Sequence, residues 1–362
     1  MPARAPLAPS PSRRTRTARP ERTTRPERTT RPLTWRLGWL LVAIALLVIL
    51  LGASIAIGAK AIPLDHVLPA LLGQGRSDDE LVITGLRVPR TLLGLLAGAA
   101  LGVAGGVIQA FTRNPLADPG ILGVNAGAAL AVTVGVALLG MRDIGQYLWL
   151  ALLGAVVATV VVSLIGMSAR EGATALRMTL AGIGVAAVLG GITSAIQLLN
   201  PTAFQRMLGW SAGSLVAQPL QAALIVSPVV LAGLVVAAIA TRGLNALALG
   251  DDLAASLGSR AAVTRTLAVV AVTLLAGGAT AAVGPIAFVG LMIPHVARAI
   301  VGPDQRWILA YSIVLGPVLL LGADILGRIV MSPAELPVGL VTAFVGAPVL
   351  IVLVRRSRAV AL

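Results

Sequence analysis

Residues 91–112 read Thr-Leu-Leu-Gly-Leu-Leu-Ala-Gly-Ala-Ala-Leu-Gly-Val-Ala-Gly-Gly-Val-Ile-Gln-Ala-Phe-Thr. The run carries no charge, and a helix needs about 20 such residues to cross a hydrocarbon core. Gly94, Gly98, Gly102 and Gly106 recur every fourth residue. They share one helix face, which lets a neighbouring backbone approach closely or leaves room for a passage. Comparable apolar runs succeed one another from Leu37 to Val354. They are continuous and do not alternate with period two, which speaks against a membrane β-barrel. The chain reads as all-α, a polytopic membrane protein.

Composition agrees with that pattern. Of the 362 residues 57% are hydrophobic and 12% charged, too few charges to cover a soluble domain of this length. About ten spans are expected, at roughly 37–57, 91–112, 121–140, 147–167, 174–198, 219–240, 266–282, 285–298, 307–327 and 338–354. The span at 285–298 is the shortest, with Pro285 and Pro294 inside it. The net charge of +14 is a topology signal and not a nucleic-acid one. Arg113, Arg170, Arg177, Arg242, Arg260, Arg265, Arg298, Arg306, Arg355, Arg356 and Arg358 fall on one side of the spans. Lys60, Arg76, Arg87, Arg90, Arg142, Arg206 and Arg328 fall on the other. With the arginine-rich start added to the first group, the positive-inside rule places both termini in the cytoplasm and the chain in the inner membrane.

Residues 1–36 are rich in Arg, Pro and Thr and repeat Arg-Pro-Glu-Arg-Thr-Thr at Arg19–Thr24 and Arg25–Thr30. Such a segment buries no apolar area and is expected to be a disordered cytoplasmic tail. Residues 37–362 form the permease domain, with a cytoplasmic loop at 241–265.

Several chemistries are excluded by what is missing. There is no cysteine, and His66 and His295 are the two histidines, so no metal cluster and no thiol catalysis is expected. The single lysine, Lys60, lies outside any P-loop string, so this chain does not hydrolyse ATP through one. The spans hold few carboxylates, Asp324 being the main one. Proton-coupled carriers place ionisable groups at mid-membrane, and the energy source is therefore read as another subunit. No nucleophile–base pair is visible, so no catalytic residue is named and the chain is not expected to be an enzyme. A stand-alone secondary carrier is the rival from another class.

Five strings fall in order along the chain. Arg87-Val-Pro89-Arg90 precedes the second span, and Gln109 to Gly127 with Asn114-Pro115-Leu116-Ala117-Asp118-Pro119-Gly120 follows it. Leu244 to Gly258 contains Leu249-Gly250-Asp251-Asp252. Gly284-Pro285 runs to Pro294-His295 and Arg298, and Gly322-Ala-Asp324 to Arg328 leads on to Glu335-Leu-Pro337-Val-Gly339 and Gly346-Ala-Pro348. This ordered set, covering about 87 to 350, resembles the FecCD-type permeases, the membrane subunits of ferric-siderophore, haem and vitamin B12 importers. Where that family has Phe near the end, this chain has Leu350.

The resemblance implies a type II ABC importer-like permease of ten helices, paired with a second permease chain, identical or paralogous. Two ATPase subunits that carry ATP and Mg would bind inside, and a substrate-binding protein would dock outside. No cofactor is bound by this chain itself. By the same resemblance Arg87, Arg90 and Arg328 meet acids of the binding protein. Leu249, Gly250, Asp251, Ala254, Leu257 and Gly258 form the coupling loop toward the ATPase, with two short helices broken at Gly250 and Gly258. Asn114, Pro115 and Leu116 are candidates for a cytoplasmic constriction. Ferric siderophores lead as cargo, with vitamin B12 and haem as alternatives. Trp210, Gly213 and Ser214 match a further string and are expected to shape an outside-facing helix, while His295 is expected to make a helix-end hydrogen bond and to ligate no metal.

Overall fold

The computed structural model describes residues 32–58, 62–72, 78–167, 175–216, 218–256 and 258–359. The expected disordered tail lies almost wholly outside them, as do Lys60, Arg76, Arg170 and Leu257. Among the described residues every regular element is helical. In chain order these are α1 (Leu33–Ala56), α2 (Leu64–Leu71), α3 (Asp78–Val82), a π-helical turn at Ile83–Arg87 and α4 (Val88–Thr112). A 3-10 turn at Pro119–Leu122 precedes α5 (Val124–Ala137), α6 (Ile144–Met167), α7 (Ala175–Leu199) and α8 (Pro201–Ser211). The chain continues with α9 (Leu220–Leu247), α10 (Asp251–Ser256), α11 (Ala261–Val283), α12 (Val289–Val301), α13 (Gln305–Val330) and α14 (Val338–Ala359).

Seven helical stretches among the described residues are long and apolar enough to cross a membrane, and three more are apolar but shorter, at Val124–Ala137, Val289–Val301 and Val338–Val352. The expectation of about ten spans, with 285–298 the shortest, meets seven full-length helices and these three, and the first two of the three start later than expected. At the first, Pro119 and Gly120 divert the chain into the 3-10 turn and Gly123 adopts φ 76, so α5 starts late. At the second, Gly284 at φ 77 ends α11, and 285–288 stay irregular before α12 begins behind Phe288 at φ 69. The expected helix at 285–298 is therefore shifted, an irregular approach over 285–288 followed by the 13 residues Val289–Val301.

The centre of the bundle is α4, which packs on α13, α11, α9 and α12. Its glycine stripe faces α13. A Cβ on Gly98 would lie 2.6 Å from the Pro317 Cα, and one on Gly102 2.8 Å from the Ser312 carbonyl oxygen. Close helix packing, and not an opening within this chain, accounts for that stripe. By contrast α1 and α7 are largely uncovered and carry leucine, isoleucine and valine outward, as lipid-facing helices do.

Candidate functional site

At one end of the bundle the C-terminus of α1 meets the N-terminus of α4 and the C-terminus of α13. The last carbonyls of a helix have no partner within it and carry partial negative charge. Here arginines supply the partners. Arg87 Nη1 donates to the carbonyls of Ile55 and Ala56 at 2.7 Å each. Arg328 Nη1 donates to the carbonyls of Ser54 at 2.8 Å and Ile57 at 2.7 Å. The Ser54 hydroxyl lies 2.8 Å from that of Thr91 and accepts from Arg328 Nη2.

The same corner holds two carboxylates. Asp324 receives Arg90 as a two-pronged fork, Nε to Oδ2 at 2.9 Å and Nη2 to Oδ1 at 2.7 Å. Arg328, one helical turn on from Asp324, donates to its Oδ2 through Nε at 3.1 Å and through Nη2. Glu335, in the segment leading to α14, accepts from Arg90 Nη1 at 2.5 Å. Positions 87, 90 and 91 are i, i+3 and i+4 neighbours and so share one face, which is why one stretch of chain serves both α1 and α13.

The structure thus brings Arg87, Arg90 and Arg328 together as expected, but it does not present them outward. They are 4%, 7% and 2% exposed. The expectation of three surface cations is overturned for a physical reason. Four helix-end carbonyls and a buried aspartate compete for them, and charge-assisted bonds at a sealed site hold more firmly than water does. Ser54 and Glu335 complete the cluster. Glu335 sits in a quoted string, whereas nothing in the sequence marked Ser54.

The opposite end carries the turn after α4. Arg113 ends that helix in the left-handed conformation, φ 52, with its N–H turned back to the Ala110 carbonyl. Asn114 Oδ1 accepts from the Leu116 N–H at 2.9 Å, and the Ala117 N–H reaches the Asn114 carbonyl at 3.1 Å. Asn114, Pro115 and Leu116 are exposed on this closed turn. Asp118 then caps the 3-10 turn, accepting from the Gly120 N–H at 2.8 Å. Burial pushes the Asp118 carboxyl above its ordinary range, and the Gly120 bond only partly opposes that. Behind the turn, Gln109 donates to the Leu291 carbonyl at 3.1 Å and accepts from Arg298, tying α4 to α12.

Next to this turn lies α10. Residues 241–247 continue α9, so the expected pair of short helices is corrected to one, bounded by Gly250 at φ 111 and Gly258 at φ 75. Leu249 is exposed, but Ala254 is fully buried within its own chain, so it cannot form the contact surface assigned to it. Leu253, which sequence reasoning passed over, is the large exposed apolar side chain of α10. Asp251 is turned to Arg113 and Arg265, at 2.6 and 3.1 Å.

Three smaller points complete the geometry. The Trp210 string does form a helix, α8, and beyond it the Gly213 carbonyl accepts from Gly339 while the Ser214 N–H donates to Val283. The His295 Nδ1 is buried without a hydrogen-bond partner, so the bond expected of it is not made by that atom. Among the described residues no three histidine or carboxylate groups gather as metal ligands.

Comparison with known proteins places this geometry. The model of the FecCD transport family matches residues 46–356. The ferric enterobactin transport system permease protein FepD of Escherichia coli is 50% identical over 313 residues, 86% of this chain and 93% of that one. Its counterpart FepG, also of Escherichia coli, is 36% identical over 303 residues, 83% and 91% of the two chains. A solved structure described as an inward-facing conformation of a metal-chelate type ABC transporter superposes with a TM-score of 0.78 at 27% identity, covering 88% of this chain and 99% of its own.

Proposed function

The chain belongs to the FecCD transport family, and from that premise we propose that it is the membrane-spanning subunit of an ATP-binding-cassette importer for ferric-siderophore complexes. The observation that carries this reading is the agreement with a ferric enterobactin permease at half of all aligned positions, over nearly the full length of both chains. In this reading the three short apolar helices are membrane segments too, giving ten in all. Both termini lie in the cytoplasm, and the arginine-rich residues 1–32 are a cytoplasmic tail, shorter than the expected 1–36 because α1 begins at Leu33.

A second permease chain completes the passage. Escherichia coli has two different chains named for ferric enterobactin, which favours a paralogous partner over an identical one. Two ATPase subunits, carrying ATP and Mg, engage the loop around Leu249 and Leu253. Their binding and hydrolysis drive alternating access by contacting the inward and outward states unequally. No cofactor is assigned to this chain.

A binding protein delivers the complex to the opposite face. Because the three arginines are buried, docking in its revised form is an exchange. An acid of the binding protein displaces Glu335, whose side chain is the most exposed of the four ion-paired partners Arg90, Asp324, Arg328 and Glu335, and takes over the outer side of Arg90.

The test is uptake under iron limitation, in cells with and without this gene, of labelled ferric enterobactin and labelled vitamin B12. Loss of iron uptake alone supports the reading. Loss of vitamin uptake alone keeps the architecture and replaces the cargo. Uptake that persists when the ATPase gene is removed would point to a carrier working alone.

A further inference from the structure

Asp251 stands where three parts of one face of the bundle meet. Its Oδ1 accepts from Arg113 Nη2 at 2.6 Å and its Oδ2 from Arg265 Nη2 at 3.1 Å. Arg113 terminates α4, Arg265 lies near the start of α11, and Asp251 itself opens α10. The backbone of α10 packs on α9 and α11, and Asp251 extends that reach to α4. On either side of α10, Gly250 and Gly258 adopt positive φ, a conformation open to glycine at little cost. The short helix is therefore bounded by two glycines in conformations other residues rarely adopt, with a carboxylate at its leading end.

What hangs from Arg113 is the turn at Asn114–Leu116. That turn is closed on itself by the Asn114 side chain and backbone bonds described above, and is anchored to the helix by the Asn114 N–H on the Gln109 carbonyl. A pull on the Arg113 side chain is thus delivered to a compact unit rather than dissipated in a slack loop.

We propose that Asp251 is a positioning residue for transport, a joint through which displacement of α10 moves the Asn114–Leu116 turn. The inference rests on the proposed function, because a partner seated on α10 supplies the displacement. All three side chains of the joint are substantially exposed, and exposed pairs are screened by salt and contribute little to static stability. Asp251 therefore faces the gate turn, and Leu249 and Leu253 are left to face the ATPase.

The chain contains no cysteine, so Leu116→Cys introduces a single thiol. The complete importer would be placed in inside-out membrane vesicles. The labelling rate of that thiol by a membrane-impermeant maleimide would be read with and without ATP and vanadate. The expected result is a nucleotide-dependent change of roughly fivefold or more, the lower range of ordinary coupling between sites. Adding Asp251→Asn should abolish the change, Asp251→Glu should keep it, and Arg113→Gln should match Asp251→Asn. Combining Arg113→Gln with Asp251→Asn should add nothing further, as expected for two residues acting through one contact. If Asp251→Asn responds to nucleotide as fully as its parent, the joint is overturned while the importer reading stands. A parent chain indifferent to nucleotide overturns the ATP-driven reading and the joint together.

Discussion

Asp324→Asn is the sharpest probe of the arginine corner. The aspartate side chain is 1% exposed and receives four guanidinium N–H groups from Arg90 and Arg328. Asparagine fits the space but offers one oxygen and one NH2. In either orientation the NH2 faces a guanidinium, donor against donor, and two cations are left without their shared anion. Two unit charges at about 4 Å with an effective dielectric near 20 repel by about 4 kcal/mol. Glu335 still neutralises part of Arg90, so the expected loss is about 3–5 kcal/mol, the usual cost of breaking a buried ion pair. That is roughly a thousandfold in the ratio of folded to unfolded chain.

Melting of the detergent-solubilised protein, followed by far-UV circular dichroism, measures it. Adding Arg90→Met should recover part of the loss, because one unpaired cation is removed while Arg328 keeps its carbonyls on α1. A loss under about 1 kcal/mol, the range of solvent-exposed pairs, would refute the claim that this corner is sealed. Additive losses in the double variant would refute the shared-anion account.

Three further outcomes are expected. Gly98→Leu should sharply lower the yield of folded protein, since its Cβ already meets the Pro317 backbone and overpacking costs about 1–3 kcal/mol even where side chains can adjust; Gly184→Leu, with nothing within 4 Å of its Cβ, should be tolerated, and equal yields would contradict the packing argument. Leu253→Asp should cut iron uptake by about tenfold or more and release the ATPase on purification, as loss of a central apolar anchor does; co-purification at parental levels would remove Leu253 from the interface. Asp118→Asn keeps the acceptor for the Gly120 N–H and deletes a charge whose folded pKa is raised. The folded parent then holds its proton longer than the unfolded chain does, so its stability falls as pH rises from about 3.9 through the raised value. The melting difference should move in favour of the variant over that interval, and a difference independent of pH would show the carboxyl to be unperturbed.

Hydropathy alone carried the all-helical, multi-pass architecture, because bilayer thickness imposes a length that a sequence displays openly. It did not carry the positions at which α5 and α12 start. These depend on Gly123, Gly284 and Phe288 adopting positive φ, and for Phe288 no side-chain preference announces it. The three arginines were legible as a set by resemblance, but their orientation was not. Whether Arg90 faces water or Asp324 depends on a contact across 234 positions, and Glu335 and Ser54 enter through equally distant packing. On the opposite face, Asp251 was found as part of a motif, whereas its partner Arg113 looked like one more inside cation until α4 ended beside α10.

The attachment of α1 has a consequence for how the chain is made. This helix is made before the others described, yet little of it is covered by the bundle. It is fastened at its extremities. At the start, Arg36 lies 5.6 Å over the Trp307 ring and the Tyr311 hydroxyl bonds the Arg36 carbonyl. At the end, Arg87 and Arg328 hold the carbonyls of residues 54–57. Arg87 is synthesised soon after, but Arg328, Trp307 and Tyr311 arrive only when most of the protein already exists. Throughout that interval the Ile55 and Ala56 carbonyls have Arg87 to bond, while those of Ser54 and Ile57 still await Arg328. This helix is thus locked in two stages, and the arginine corner is complete only once α13 has been made.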